Sequence, residues 1–154
     1  MNPPGRNKTV IESRKLSDLY PIVAARAIVA IAKAEMETGL KLIVTATFRD
    51  DEMQAFYYEQ GRTRPGSKIT NDPGPGSAHS LRVALDIAPA IKDLHTGKVQ
   101  LFYETTKWER IAECFREQGF EWGGDWERFK DRPHFQFTQE QSLSDIRENG
   151  LNEE

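Results

Sequence analysis

Apolar residues recur at helical spacing from Leu19 through Val23, Ala27, Ile31 and Ala34, while Arg26, Lys33 and Glu37 supply polar positions. This predicts a long helix from about Asp18, capped by Ser17 or Asp18, with Pro21 tolerated in the first turn and Gly39 as its end. The period then changes. Residues 40–48 are an apolar, β-branched run of strand length, read as a central strand. Residues 49–61 return to a helical pattern, with Asp50 and Asp51 at the positive end and Gly61 as the stop. Residues 62–78 hold three glycines and three prolines, a loop too long for a simple connection and of the kind that often carries function.

Val83–Pro89 reads as a second strand ended by its proline, and residues 93–98 as a turn around Gly97 leading to a short strand near Val99–Phe102. Thr105 or Thr106 can cap a helix reaching about Gln118, with Trp108, Ile111, Ala112 and Phe115 on one face and Gly119 closing it. Residues 120–126 are aromatic and turn-rich, and His134–Phe137 alternates like a final strand. Residues 1–15 read as a loose arm, and residues 139–154 as a polar tail with a short helix and a frayed end. With no repeat and no linker, the expectation is a single α+β domain in which a small antiparallel sheet is flanked by helices.

Composition narrows the class. A chain of 154 residues can bury a real core, and no apolar run is long enough to span a membrane. A net charge of -3 gives no support for nucleic-acid binding. The single cysteine, Cys114, excludes an internal disulfide and reads as a small core residue between Ile111 and Phe115. The polar N-terminus lacks the apolar segment of a secretory signal, so the expected site of synthesis is the cytoplasm.

The chemistry gathers in two stretches. His79 ends the long loop and Asp86 lies inside the apolar run Val83–Pro89, where a carboxylate needs a partner. Alternation places Ala84, Asp86 and Ala88 on one face, leaving room around that carboxylate. His134 opens the last strand, three residues after Asp131. Two imidazoles, one carboxylate and a spare carboxylate are the inventory of a catalytic zinc site. Each residue alone has an ordinary explanation: an exposed loop histidine, an internal ion pair, a half-buried strand histidine. His95, beside Gly97, reads as a solvent-facing turn residue.

The spacing Ser77-x-His79-x6-Asp86, followed by Trp122-Gly-Gly-Asp-Trp126 and Asp131-x2-His134-Phe, resembles the zinc peptidases of bacterial cell walls. That family includes D-alanyl-D-alanine carboxypeptidases and L-alanyl-D-glutamate endopeptidases, phage endolysins among them. Arg49, Gln54, Tyr58 and the run 59–63, with Pro65 and Gly66 behind, are similar to the endopeptidase branch, and the resemblance covers residues 16–138. It implies a hedgehog/DD-peptidase-like fold, a catalytic domain over 16–138, and Zn2+ held by His79, Asp86 and His134. Asp131 falls on the general base, and Arg49 on a cation for the oxyanion or a substrate carboxylate. Gln54 and Ser77 fall on the substrate cleft. Trp122 is placed there as an aromatic wall, although tryptophans in such turns are more often core. The implied partner is the peptidoglycan stem peptide, cut at L-Ala–D-Glu by a monomer with no nucleic acid and no stable membrane association, acting on the wall after release, for example through a holin. The alternatives are a D-Ala–D-Ala carboxypeptidase with the same chemistry, or a non-catalytic zinc-stabilised wall-binding module. Relatives often carry glycine where this chain has Arg82, four residues before Asp86, so that side chain must point out of the turn or reshape the cleft rim.

Overall fold

In the computed structural model, which describes residues 12–153, the first long helix (α1) spans Pro21–Thr38. It starts later than the apolar period suggests, because Pro21 takes the first helical position and Leu16–Asp18 form a separate 3-10 turn. Val23, Ala27, Ala30 and Ala34 are fully buried, and these small side chains let α1 lie close to the α3 helix, Trp108–Glu117. Gly39 ends α1 at φ 74°, in the left-handed region where glycine costs least. On α3, Trp108, Ile111, Ala112, Cys114 and Phe115 are buried, so the face read from the sequence is the face used.

The sheet is antiparallel, with β1 (Lys41–Ala46), β2 (Ala84–Lys92), β5 (His134–Gln136) and β4 (Glu121–Trp122) in that order, and β3 (Val99–Leu101) pairing the far end of β2. Helix α2, Asp51–Glu59, follows β1, with the Asp50 carboxylate accepting from the Met53 amide as its N-cap. A register shift between Val44 and Ala46 bends the end of β1 just before Thr47. Under the sheet, Phe115 stacks on Phe135 with ring centroids 4.0 Å apart, and Trp122 lies parallel to Phe135 at 6.4 Å.

Two expectations are corrected here. Pro89 does not end β2, which runs on to Lys92. The Ile87 amide donates to the Pro133 carbonyl and the Pro89 carbonyl accepts from Phe102, so Pro89 sits where β2 changes partner from β5 to β3. Its missing N–H falls in that gap and costs no ladder hydrogen bond. In the C-terminal segment the expected short helix is present, but its end packs on the core and is not frayed. Helix α4, Leu143–Asn149, is capped by Ser142 and buries Ile146, and Leu151 joins the same core. The expected N-terminal arm lies largely outside the described residues, but its last part is ordered against β1: the Ser13 amide donates to the Phe48 carbonyl, and Glu12 bridges Arg49.

Candidate active site

His79 stands on a tight turn. The Ser77 hydroxyl accepts from the Ser80 amide, the Ser77 carbonyl from Leu81 and the His79 carbonyl from Arg82. Arg82 has φ 64°, which explains the glycine expected there and costs a side-chain-bearing residue about 1–2 kcal/mol. Its side chain turns away from the cleft, donating to the Asp18 carbonyl at 2.7 Å and stacking over Phe48 at 4.0 Å. Immediately beyond, β2 carries Asp86 directly opposite His134 on β5.

His79 Nε2 and His134 Nδ1 each lie 3.3 Å from Asp86 Oδ1, and one donor atom from each residue falls within 4.8 Å of the others. Each ring is oriented from behind. His79 Nδ1 is 2.8 Å from the Thr47 carbonyl, which fixes the proton on Nδ1 and leaves the Nε2 lone pair facing inward. His134 Nε2 is 2.9 Å from Gln136 Oε1, which leaves its Nδ1 lone pair facing inward. Asp86 Oδ1 is shut off from solvent and has no hydrogen-bond partner among the described residues. In these tautomers three electron-rich atoms converge, an arrangement that a bound cation or a proton on an imidazole must offset. Ligands bound tetrahedrally at about 2.0–2.1 Å lie about 3.3–3.4 Å apart, so the two 3.3 Å separations fit such an ion. The donor set fits a metal.

The local charges are coupled. Burial works to raise the Asp86 pKa, but the imidazoles of His79 and His134 outweigh it and hold the carboxyl well below the usual range. Burial would lower His134, yet the adjoining Asp86 carboxylate raises it. Asp131 is raised, first by burial and then by the negative charge of Asp86. It is positioned by its backbone, with its amide donating to Gly123 and its carbonyl accepting from His134. A Cβ on Gly123 would lie 2.3 Å from the Asp131 carbonyl oxygen, so only glycine permits this approach.

Arg49 faces the centre from the other wall. Its Nη2 is 3.9 Å from Asp86 Oδ2, its Nη1 donates to Gln54 Oε1 at 3.0 Å, and Glu12 lies 3.6 Å from Nε. The guanidinium also packs over the Tyr57 ring at 4.7 Å. Gln54 is buried, with its amide nitrogen donating to Thr70 and to the Asp72 carbonyl, so it ties Arg49 to the long loop. Arg62 packs on Tyr58 and donates to the Tyr58 and Thr70 carbonyls and to Asn71, which shapes that loop as a wall.

A cleft of about 830 Å³ brings together Arg49, Gln54, Ser77, His79, Asp86, Asp131 and His134. Trp122 is not part of it. Its ring is buried in the core and its Nε1 donates to the Arg132 carbonyl, because β4 turns that side chain toward Phe135. The aromatic wall is Trp126 instead, half-buried and 5.2 Å from the His134 ring. The sequence reading also missed Glu12, Tyr103, Gln136 and the Thr47 carbonyl. Gln136 alone left a signal, since residues two apart on a strand share a face and His134 was already placed there. Cys114 is buried away from the cleft with its thiol pushed up to about 11, first by burial and then by Glu37, as befits a core residue.

Comparison with known proteins places the chain among cell-wall peptidases. A family model described as D-alanyl-D-alanine carboxypeptidase matches residues 70–137, a span that contains the three donors and Asp131 but not Arg49 or Gln54. The chain is 37% identical over 127 residues to the peptidoglycan L-alanyl-D-glutamate endopeptidase CwlK of Bacillus subtilis (strain 168), covering 78% of this chain and 74% of that protein. It is 31% identical over 101 residues to an L-alanyl-D-glutamate peptidase of Listeria phage A118, covering 65% of this chain but 31% of the phage protein. The fold is similar to the crystal structure of the Serratia marcescens L-Ala D-Glu endopeptidase ChiX, with a TM-score of 0.56, 21% identity, and coverage of 88% of this chain and 87% of that one. On the length and identity of the match to the Bacillus protein, the chain belongs to the peptidase family that unites D-alanyl-D-alanine carboxypeptidases with peptidoglycan L-alanyl-D-glutamate endopeptidases.

Proposed function

We propose that the protein is a zinc endopeptidase that cuts the bond between L-alanine and D-glutamate in the stem peptide of peptidoglycan. The observation that carries this reading is the convergence of three oriented lone-pair donors beside the Asp131 carboxyl, in a cleft large enough for several peptide residues. The choice of bond is supported by the relatives from Bacillus subtilis and Listeria phage A118, both named for it.

In this reading His79 Nε2, Asp86 Oδ1 and His134 Nδ1 hold the zinc. A zinc ion bound by these three would supply a Lewis acid for the scissile carbonyl and would lower the pKa of water toward neutrality. Asp131 takes the proton of that water as general base and passes it to the departing amine. The water oxygen joins the alanyl carbonyl carbon, the C–N bond breaks, and D-glutamate leaves with a free amine. Arg49, a permanent cation held by Gln54, hydrogen-bonds the developing oxyanion or a substrate carboxylate. Ser77 acts through the turn that presents His79, since its hydroxyl is engaged with Ser80. The protein works on the wall as a monomer, in the manner of a phage endolysin.

Mass spectrometry of digested sacculi tests the bond. Fragments with new N-terminal D-glutamate are expected. Release of free D-alanine without them would replace this reading by D-Ala–D-Ala carboxypeptidase activity, the alternative favoured by the description of the matching family model.

A further inference from the structure

A second cavity, of about 300 Å³, opens beside the cleft between Tyr103, Trp108, Lys130, Arg132 and Pro133. Tyr103 and Pro133 line both spaces, so the two adjoin at these residues. The segment between them has a two-residue alternation: Phe129 and Asp131 line the cleft, whereas Lys130 and Arg132 line the side pocket. Neither cationic side chain has a hydrogen bond or ion pair with any described residue. The floor is fixed, because the Trp108 indole is buried and its Nε1 donates to the Tyr103 carbonyl at 2.9 Å. Arg132 is anchored through its backbone, whose carbonyl accepts from Trp122. Two exposed cations without a partner among the described residues, beside a fixed aromatic floor, suit a carboxylate.

We propose that this pocket is the subsite for the free α-carboxylate of the D-glutamyl residue that leaves, and that it makes the protein prefer stem peptides in which this carboxylate is not amidated. The inference rests on the proposed endopeptidase reading. The pocket shares Tyr103 and Pro133 with the cleft that holds Asp131, so a substituent on the carbon bearing the leaving amine can lie toward the two cations. D-glutamate linked onward through its side-chain carboxyl keeps its α-carboxylate on the same carbon as the leaving nitrogen. That group would otherwise face the negative charges of Asp86 and Asp131, and the two cations offset them.

The test uses two synthetic stem peptides that differ only at this position, one with the free α-carboxylate and one with the α-carboxamide. Wild-type protein should cut the free acid with kcat/KM about tenfold higher, the scale of one charge-assisted hydrogen bond. In a Lys130→Gln/Arg132→Gln variant the ratio between the two substrates should collapse toward one, with metal content and circular dichroism retained. A product peptide with N-terminal D-glutamate should inhibit the wild type more strongly than the variant. A wild type without preference, or a variant whose ratio stays at the wild-type value, overturns the subsite while leaving the endopeptidase standing. Failure to cut the L-Ala–D-Glu bond in either peptide removes the endopeptidase reading and the subsite with it.

Discussion

Asp86 and His134 face each other across the β2–β5 ladder, with Oδ1 and Nδ1 3.3 Å apart and no proton available from the histidine tautomer that Gln136 selects. The pair is completed by His79 from the turn before β2. This relationship leads to the first expectation. If the proposed three-donor site takes zinc, elemental analysis of the native protein should find about one zinc per chain. A His79→Ala/His134→Ala variant should bind essentially none, and full occupancy in that variant would remove the trio as the site.

Gln136 should matter almost as much as a ligand. Gln136→Leu removes the acceptor that holds His134 Nε2–H and frees the ring to turn. Metal affinity should fall by about 10–100-fold, the usual range for loss of an orienting partner. Competition with a chelator measures it, and an affinity equal to wild type would mean that strand packing alone orients the ring.

Asp131→Asn separates holding the metal from catalysis. The backbone bonds of residue 131 to Gly123 and His134 survive the change, so fold and metal content should persist. Turnover should drop by about 10²–10⁴-fold with loss of the general base. Stem-peptide hydrolysis within a few-fold of wild type would exclude Asp131 from that role.

Gly123→Ala should damage the same function through the backbone. Its Cβ would meet the Asp131 carbonyl oxygen at 2.3 Å, and backbone must move to relieve this. The expected cost is about 1–3 kcal/mol of stability, read as a lower Tm, with activity falling further than metal content. An unchanged Tm would show that the 123–131 contact is looser than its geometry indicates.

Acid should silence the enzyme before it unfolds it. Asp131 must be ionised to act, and its pKa lies above the ordinary value of 3.8, so activity is lost as pH falls through a range above that value. The Asp131 shift does not make the fold acid-sensitive, because a raised carboxyl pKa favours the folded state when protonated. Asp86 has the opposite sign. Its folded pKa lies well below 3.8, so its contribution to stability is present above 3.8 and is lost only as pH falls through that lower value. Circular dichroism of metal-free protein should therefore stay native at pH values where hydrolysis has stopped. Added zinc should restore only the part of the activity lost through metal release. Coincident loss of fold and activity would contradict the order of the two shifts.

The sequence by itself determined the helices and the longer strands, and it nominated the three candidate donors. Val23, Ala27 and Ala34 announce a buried helical face through their spacing, Gly39 announces its end, and a carboxylate at Asp86 inside an apolar strand announces a partner. These are local signals, set by periodicity, backbone conformation and the cost of burying charge. What only the tertiary structure decided depends on which strand lies beside which. Pro89 continues β2 because its missing N–H meets the gap between β5 and β3, a fact about neighbours that no local rule contains. Trp122 and Trp126 are equivalent as residues, yet the β4–β5 pairing turns the first into the core and leaves the second beside His134. The same holds for the Thr47 carbonyl, 32 positions from His79 in the chain and 2.8 Å from its ring. Composition and spacing select the chemical groups; the register of the sheet and the packing of the loops set their directions, and direction decides which lone pairs meet.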